Sequence, residues 1–430
     1  MNAPVATPED SCDVLVIGGG PAGSTAAALL AAQGRDVMLL EKDAHPRFHI
    51  GESLLPRNLA IFDRLGVRDD IHAMGVLKPG AEIVSDVSGR SVAFDFATGI
   101  DRSFTHSYQV RRAEFDALLL DNAVRQGVRA MQQTRVVQVD HANGPAQVVA
   151  RQTDGTMLRI SPRFVLDASG RDALLASRMR SKQADKSNNT AAVYAHFHDV
   201  VRREGGMAGC ISIHLAQDGW FWVIPLQDGI TSVGFVGTQA AFKHRVGTPA
   251  DLLLRRIRDS AMLAPRMAEA TLASDVMTAS NYSYRAQSAW GDGYMLIGDA
   301  FGFVDPVFSS GVLLAMTGGS LGAEVAHAWL DNPAEGQRLA RQAERQLRDG
   351  MDRLGWLIYR INDPVLRAIL MSPNNLFRMR DGVVSVLAGH FDSRPALRLP
   401  LLALKGCYHL LSLAARLGLS VAEPAAPQVS

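Results

Sequence analysis

The first forty residues constrain this chain more than any others. Asp13-Val-Leu-Val-Ile17 is a short apolar run, long enough for a buried parallel strand. It runs straight into Gly18-Gly-Gly-Pro-Ala-Gly23. The Ala/Leu-rich segment Ser24–Gln33 has helix-forming composition and stops at Gly34, and Val37–Leu40 reads as a second strand ending in Glu41. Strand, glycine loop, helix, strand and acid follow one another within about thirty residues. Gly18 lets the chain turn tightly, Gly20 lets backbone N–H groups approach a pyrophosphate, and Gly23 lets the helix pack against the strand. Pro21 and Ala22 stand at the mouth of that helix, whose N-terminus carries positive partial charge. Glu41 can accept both hydrogen bonds of a ribose diol and would repel a 2′-phosphate, and Lys42 beside it joins the expected contacts. An adenine dinucleotide is therefore the expected ligand.

With 430 residues, one large or two interlocked domains are expected. The 47% hydrophobic and 20% charged content is that of a soluble chain with a sizeable core. The 44 Lys and Arg nearly balance the 43 Asp and Glu, which argues against a protein built to grip nucleic acid. Cys12, Cys210 and Cys407 lie far apart without a CxxC pair, so neither a disulfide scaffold nor a metal site is expected, and a cytoplasmic home is. The start MNAPVATPEDS does not read as a signal peptide. No uncharged apolar run reaches the roughly 20 residues of a spanning helix, so no transmembrane segment is expected. Leu397–Leu419 is interrupted by Arg398, Pro400, Lys405, His409 and Arg416, and reads as an amphipathic segment packed on the protein.

Further along, Tyr294-Met-Leu-Ile-Gly298-Asp299-Ala300 is another apolar strand ending in Gly-Asp. It resembles the second fingerprint of flavoproteins of the glutathione-reductase type, in which such an Asp binds the ribityl chain; the alternative for Asp299 is a helix N-cap. Phe164-Val-Leu-Asp167-Ala-Ser-Gly170-Arg171 is similar to the central flavoprotein motif, and Arg112-Ala-Glu-Phe-Asp116 to the wider flavin-monooxygenase pattern. These resemblances imply FAD rather than NAD.

Trp220-Phe-Trp222-Val-Ile-Pro225 has strand spacing, with both tryptophans on one face. In this setting WxWxIP resembles the signature of flavin-dependent halogenases. Gly51-Glu-Ser53-Leu-Leu-Pro56 and Phe303-Val-Asp-Pro306-Val-Phe308-Ser-Ser310-Gly311-Val312 resemble segments that line the flavin in that family. The resemblance implies an α/β (α+β) fold with a glutathione-reductase-type Rossmann FAD-binding domain. A mostly antiparallel substrate sheet would be inserted in it, and a helical part would follow. The expected FAD-binding domain takes residues 10–80, 108–185 and 286–345. The substrate sheet takes 81–107 and 186–285, the C-terminal helical segment 346–421, and a disordered tail 422–430. By alternation, Leu158–Val165 also reads as part of the substrate sheet.

The family resemblance implies a reaction of FADH2 and O2. A flavin hydroperoxide oxidises a halide ion, chloride or bromide, to hypohalous acid. A lysine then holds this acid beside an electron-rich aromatic carbon. Lys78 stands where that catalytic lysine is expected, and its amine or ammonium suits the task. Gly18, Gly20, Pro21, Ala22, Gly23, Glu41, Lys42, Ser53, Arg112, Asp167, Gly170, Gly298, Asp299, Gly311 and Val312 are the expected cofactor residues. Ser310 and Gly311, in a turn that Ser309 would cap, are the expected halide nest. Trp220, Trp222, Pro225, Pro306 and Phe308 would separate flavin from substrate.

In one respect the sequence departs from the family. Phe308 replaces the glutamate that tryptophan halogenases carry in this turn, which points to phenols, pyrroles or carrier-bound aryl groups rather than free tryptophan. No assisting base is assigned; His106, His196, His198 and His214 are available by type. A separate NAD(P)H-dependent flavin reductase is the expected partner, because no second glycine fingerprint for a nicotinamide is visible. The rival readings are an FAD-dependent aromatic hydroxylase, a flavin reductase like those acting on geranylgeranyl chains, and a flavin-binding protein without turnover.

Overall fold

The glycine-loop unit sits in the middle of a parallel sheet. The computed structural model describes residues 9–140, 146–238, 241–242, 247–305, 307–372, 374–390, 395–421 and 423. Strand Glu9–Ile17 is flanked on one side by Val37–Leu40 and then Arg129–Met131, and on the other by Met157–Asp167 and then Tyr294–Leu296, all parallel. The residues at the C-terminal ends of the three inner strands, Val14–Ile17, Val37–Leu40 and Phe164–Asp167, are buried, which explains the unbroken apolar runs in the sequence. Helix Pro21–Ala32 covers one face, with Gly20 in the N-cap position and Pro21 opening the first turn. It packs against helix Gly311–Asp331, whose Gly319 comes so close that a Cβ there would meet the Ala22 carbonyl oxygen at 2.4 Å. Leu158–Val165, expected in the substrate sheet, lies in this parallel sheet instead, since its register is with Glu9–Ile17. Alternation identified the strand but carries no information about its partner.

A second sheet of nine strands runs Gly302–Phe303, Met277–Ala286, Lys182–His198, Thr231–Thr238, Gly219–Pro225, Ile211–Leu215, Gly80–Ser85 and Arg90–Asp95, with Thr271–Leu272 as a short extra strand. Every pair is antiparallel except Ile211–Leu215 with Gly80–Ser85. A two-stranded ribbon, Val76–Lys78 with Ser107–Gln109, is separate from both sheets.

Helix Gly311–Asp331 gives way at Asn332, whose side chain caps the following helix, Pro333–Ile358. Helices Pro364–Leu370, Met379–Leu387 and Pro395–Arg416 complete the C-terminal layer. Pro306 lies outside the described residues. So does the expected disordered tail apart from Glu423, which accepts a hydrogen bond from Ser85 Oγ.

Candidate active site

The C-terminal ends of the parallel strands open into a cleft of about 470 Å3. This is where open α/β sheets place their ligands. The strand ends contribute Ile17, Glu41 and Ala168, and the loops beyond them contribute Gly18, Gly20, Gly170 and Asp299. Gly18 adopts φ +108°, and a Cβ on it would meet the Ala168 carbonyl oxygen at 2.3 Å. Gly23 lies behind the cleft, where a Cβ would meet the Gly18 carbonyl oxygen at 1.9 Å. Gly298, with φ +58°, packs in the same way on Ala22. These glycines fix the loops. By contrast, Gly170 and Gly311 line the cleft with nothing within 4 Å of where a Cβ would stand.

Charged groups surround that space. Glu41 is buried; its Oε2 accepts from Gly19 N–H at 2.7 Å and its Oε1 from Asp43 N–H at 2.9 Å. Each carboxylate oxygen keeps a further acceptor site. Lys42 pairs with Asp172 at 2.6 Å on the cleft rim. Arg112 is locked to Asp116 through two hydrogen bonds of 2.8 and 3.0 Å and donates a third to the Ile50 carbonyl. Burial pushes the Asp299 carboxyl up to about 6, against the opposing pull of Arg171 and Arg112.

Asp167 is placed differently from expectation. Its carboxylate accepts from Ser169 N–H and Leu175 N–H, closing its own loop, and it is fully buried rather than part of the cleft wall. The remaining set fits FAD: helix N-terminus and open glycines for a pyrophosphate, Glu41 for a diol, and an unoccupied acceptor on Asp299 for hydroxyls.

The nine-stranded sheet supplies the opposite wall. Trp220 and Trp222 both face the cleft, with ring centroids 6.1 Å apart. Trp222 donates its indole N–H to Ser232 Oγ at 3.1 Å. Directly across the ladder stands Gly234, where a Cβ would come within 2.2 Å of the Trp222 ring. A glycine inside a strand marks such a close approach, and it is the signal that sequence reasoning passed over. Pro225 ends the strand and is buried away from the cleft wall.

At the far end, Ser309 has φ +59° and Ser310 returns to helical angles just before helix Gly311–Asp331. The cap residue is therefore Ser310 rather than Ser309, and its side chain makes no capping bond. The left-handed then right-handed pair turns successive N–H groups toward one point. Ser309, Gly311 and Val312 line the cleft, while Ser310 and Phe308 are buried behind it.

Lys78 does not line the cleft. Its side chain is 1% exposed, its Nζ donates to the Leu54 carbonyl at 2.8 Å and lies 5.3 Å from the centre of the Phe96 ring. Ser53, one residue before Leu54, does line the cleft, so the lysine sits one layer behind that wall. Ser107 is its cross-strand partner, and Ser53 pairs with Gln109 two residues further on. Pairing of this kind puts these side chains on one face. Ser53 Oγ, Ser107 Oγ and Gln109 Oε1 are buried there without hydrogen-bond partners in the structure. Loss of hydration lowers Lys78 to about 7.

The histidines separate by surroundings. His214 is buried beside Arg266 and pushed down to about 3. His106 and His72 flank Tyr108. His196 Nε2 lies 2.8 Å from Glu52 Oε1, and Phe48 packs on its edge. Glu52 and Phe48 both line the cleft. That pair spans 144 residues, so no local pattern announces it.

Comparison with known proteins agrees with this geometry. The family model described as an FAD binding domain matches residues 11–338. A tryptophan 2-halogenase of Chondromyces crocatus is 35% identical over 320 residues, covering 73% of this chain and 60% of that protein. The 1H-pyrrole-2-carbonyl-[peptidyl-carrier protein] chlorinase of Pseudomonas fluorescens is 31% identical, covering 71% of this chain and 73% of the relative. Among solved structures, the myxobacterial chondrochloren halogenase superposes with a TM-score of 0.78 at 31% identity, over 94% of this chain and 97% of the other. The chain thus spans about three fifths of the length of the tryptophan halogenase.

Proposed function

Because the chain belongs to the flavin-dependent halogenases, a family of FAD-binding enzymes, we propose that it halogenates an electron-rich aromatic with chloride or bromide. Bound as FADH2, the cofactor supplies the oxygen activation that oxidises the halide. The protein's own residues do the rest. Gly18, Gly20, Glu41, Arg112 and Asp299 hold and orient the dinucleotide, and the N–H groups of Ser310 and Gly311 hold the halide. Trp220 and Trp222 wall the aromatic substrate off from the flavin, so that oxygen transfer to the ring is suppressed.

The observation that carries the reading is the place of Lys78. It lies behind the Glu52–Leu54 wall near buried, unpartnered polar atoms, and it is lowered to about 7. A lysine that is part neutral amine at neutral pH can accept a halogen or hydrogen-bond to hypohalous acid, and it can release the proton it holds. The pyrrole-carrier chlorinase among the relatives favours a carrier-bound aryl group as substrate. Absence of a nicotinamide fingerprint favours a separate flavin reductase as electron source.

The test supplies purified protein with FAD, a flavin reductase, NADH, oxygen and either halide. Catalase removes free peroxide, and an activated phenol and a pyrrolyl-loaded carrier protein are the two substrates. A product heavier by one halogen supports the reading. An oxygen insertion instead, or NADH oxidation by the chain alone, replaces it with a hydroxylase.

A further inference from the structure

The last helix, Pro395–Arg416, has three distinct faces. Leu397, Pro400, Leu404 and Tyr408 turn inward onto the C-terminal layer, where Tyr408 donates to Asp363 at 2.8 Å. Leu399, Leu402, Leu410 and Leu413, continued by Leu417 in the following turn, are each more than half exposed. At 100° per residue these five fall on one stripe opposite the buried face, which Gly406 and, in the first turn, Pro395 share. The stripe is about 27 Å long at 1.5 Å per residue. Leu376 and Phe377, also more than half exposed, belong to the turn that packs beside this helix. Arg398 and Arg416, with His409 between them, fall along one edge of the stripe, and Lys405 shares that edge with its Nζ over the Trp356 ring at 5.3 Å. From Pro395 to Ser420 the sequence has no Asp or Glu.

We propose that this face docks on an anionic lipid surface, with the helix lying in the plane of the bilayer interface. A bare strip of leucines carries no groups for a protein partner to recognise by hydrogen bonding, whereas it suits the headgroup–acyl boundary. The row of cations beside it stays at headgroup level and meets phosphate charge there. A second copy paired antiparallel through the same stripe would set its own cations alongside these, with no acidic residue on either helix to offset them. Among the described residues no helix is long and apolar enough to cross a membrane, so the contact is one of lying on the surface, not spanning it.

The experiment is flotation of the full-length, FAD-loaded protein with vesicles of phosphatidylethanolamine and phosphatidylglycerol, and with phosphatidylcholine vesicles. The proposal expects binding to the anionic vesicles that falls with added salt. It expects a loss of about fivefold for each neutralised cation in Arg398→Gln and Arg416→Gln. The double variant Leu402→Ser/Leu410→Ser should lose binding while its melting temperature and FAD content stay at wild-type levels, since both side chains are exposed. No flotation, or equal binding to both vesicle types, overturns the proposal. So does a stable dimer or a complex with an acidic carrier protein that the leucine variant abolishes while vesicles are ignored.

Discussion

Replacing Lys78 by Met should make the protein more stable and less active. The lysine is buried and lowered from 10.5 to about 7, a difference of about 3.5 units. At about 1.36 kcal/mol per unit, keeping its proton in the folded state costs up to about 5 kcal/mol. A lowered lysine carries no penalty above its unfolded value near 10.5. The penalty grows as pH falls from there and is complete below about 7. Methionine has nearly the same shape and no charge, so it removes that cost. It also leaves the Leu54 carbonyl without its donor, which gives back about 1–3 kcal/mol. The net gain is about 2–4 kcal/mol at pH 6.5. For 430 residues the unfolding entropy is about 0.9 kcal/mol per kelvin, so the melting temperature should rise by about 2–4 °C. Thermal melts of wild type and variant from pH 6.5 to 10 provide the assay, and only their difference matters, because other titrations cancel. The gap should close and then reverse toward pH 10. A variant less stable at pH 6.5, with a gap that does not change with pH, would refute the claim that Lys78 is a desolvated cation.

Gly18→Ala forces a side chain into a φ +108° site against the Ala168 carbonyl, strain of about 1–3 kcal/mol, so FAD binding measured by flavin fluorescence should weaken about tenfold or more. Unchanged affinity would show that the loop is not held as described. Gly234→Ala displaces the Trp222 ring at a cost of about 1–3 kcal/mol, lowering the melting point and shifting tryptophan emission; an unaltered spectrum would count against the packing. Asp299→Asn should stabilise the FAD-free protein above pH 6 by at most about 3 kcal/mol, from (6 − 3.8) units. Its carboxyl is raised, so the stability of the protonated form is complete below the usual carboxylate value and is lost as pH rises through about 6. Melts of the two FAD-free proteins at pH 5 and 8 check it, and an equal gap at both would refute it.

What could be read from the sequence was local. The strand–loop–helix unit is contiguous, and its glycines act on neighbours a few residues away, so Gly18, Gly20 and Glu41 fall where the spacing puts them. The tryptophan strand likewise needs only a period of two to place Trp220 and Trp222 on one wall. What depended on distant partners was not legible. Asp167 has the right position in the right loop, yet its two oxygens are taken by Ser169 and Leu175, a choice that composition does not encode. The helix start moved one residue, from Ser309 to Ser310, because Ser309 takes up the left-handed turn. Leu158–Val165 looked like any alternating strand until its neighbour was known. The pairing of Glu52 with His196 joins segments 144 residues apart, and Phe96 covers Lys78 through the register of Gly80–Ser85 with Arg90–Asp95, which a single sequence does not announce.

If Lys78 carries the halogen after oxygen activation has happened elsewhere, its loss separates flavin oxidation from halogenation. One side-by-side measurement tests it: wild type and Lys78→Met, each with FAD, a flavin reductase, NADH, oxygen, bromide and an activated aromatic. Oxidation of the reduced flavin and brominated product are followed together, with catalase present. Equal flavin oxidation is expected in both proteins, with a bromine isotope doublet in the wild type alone. Brominated product at wild-type yield from the methionine variant would contradict it.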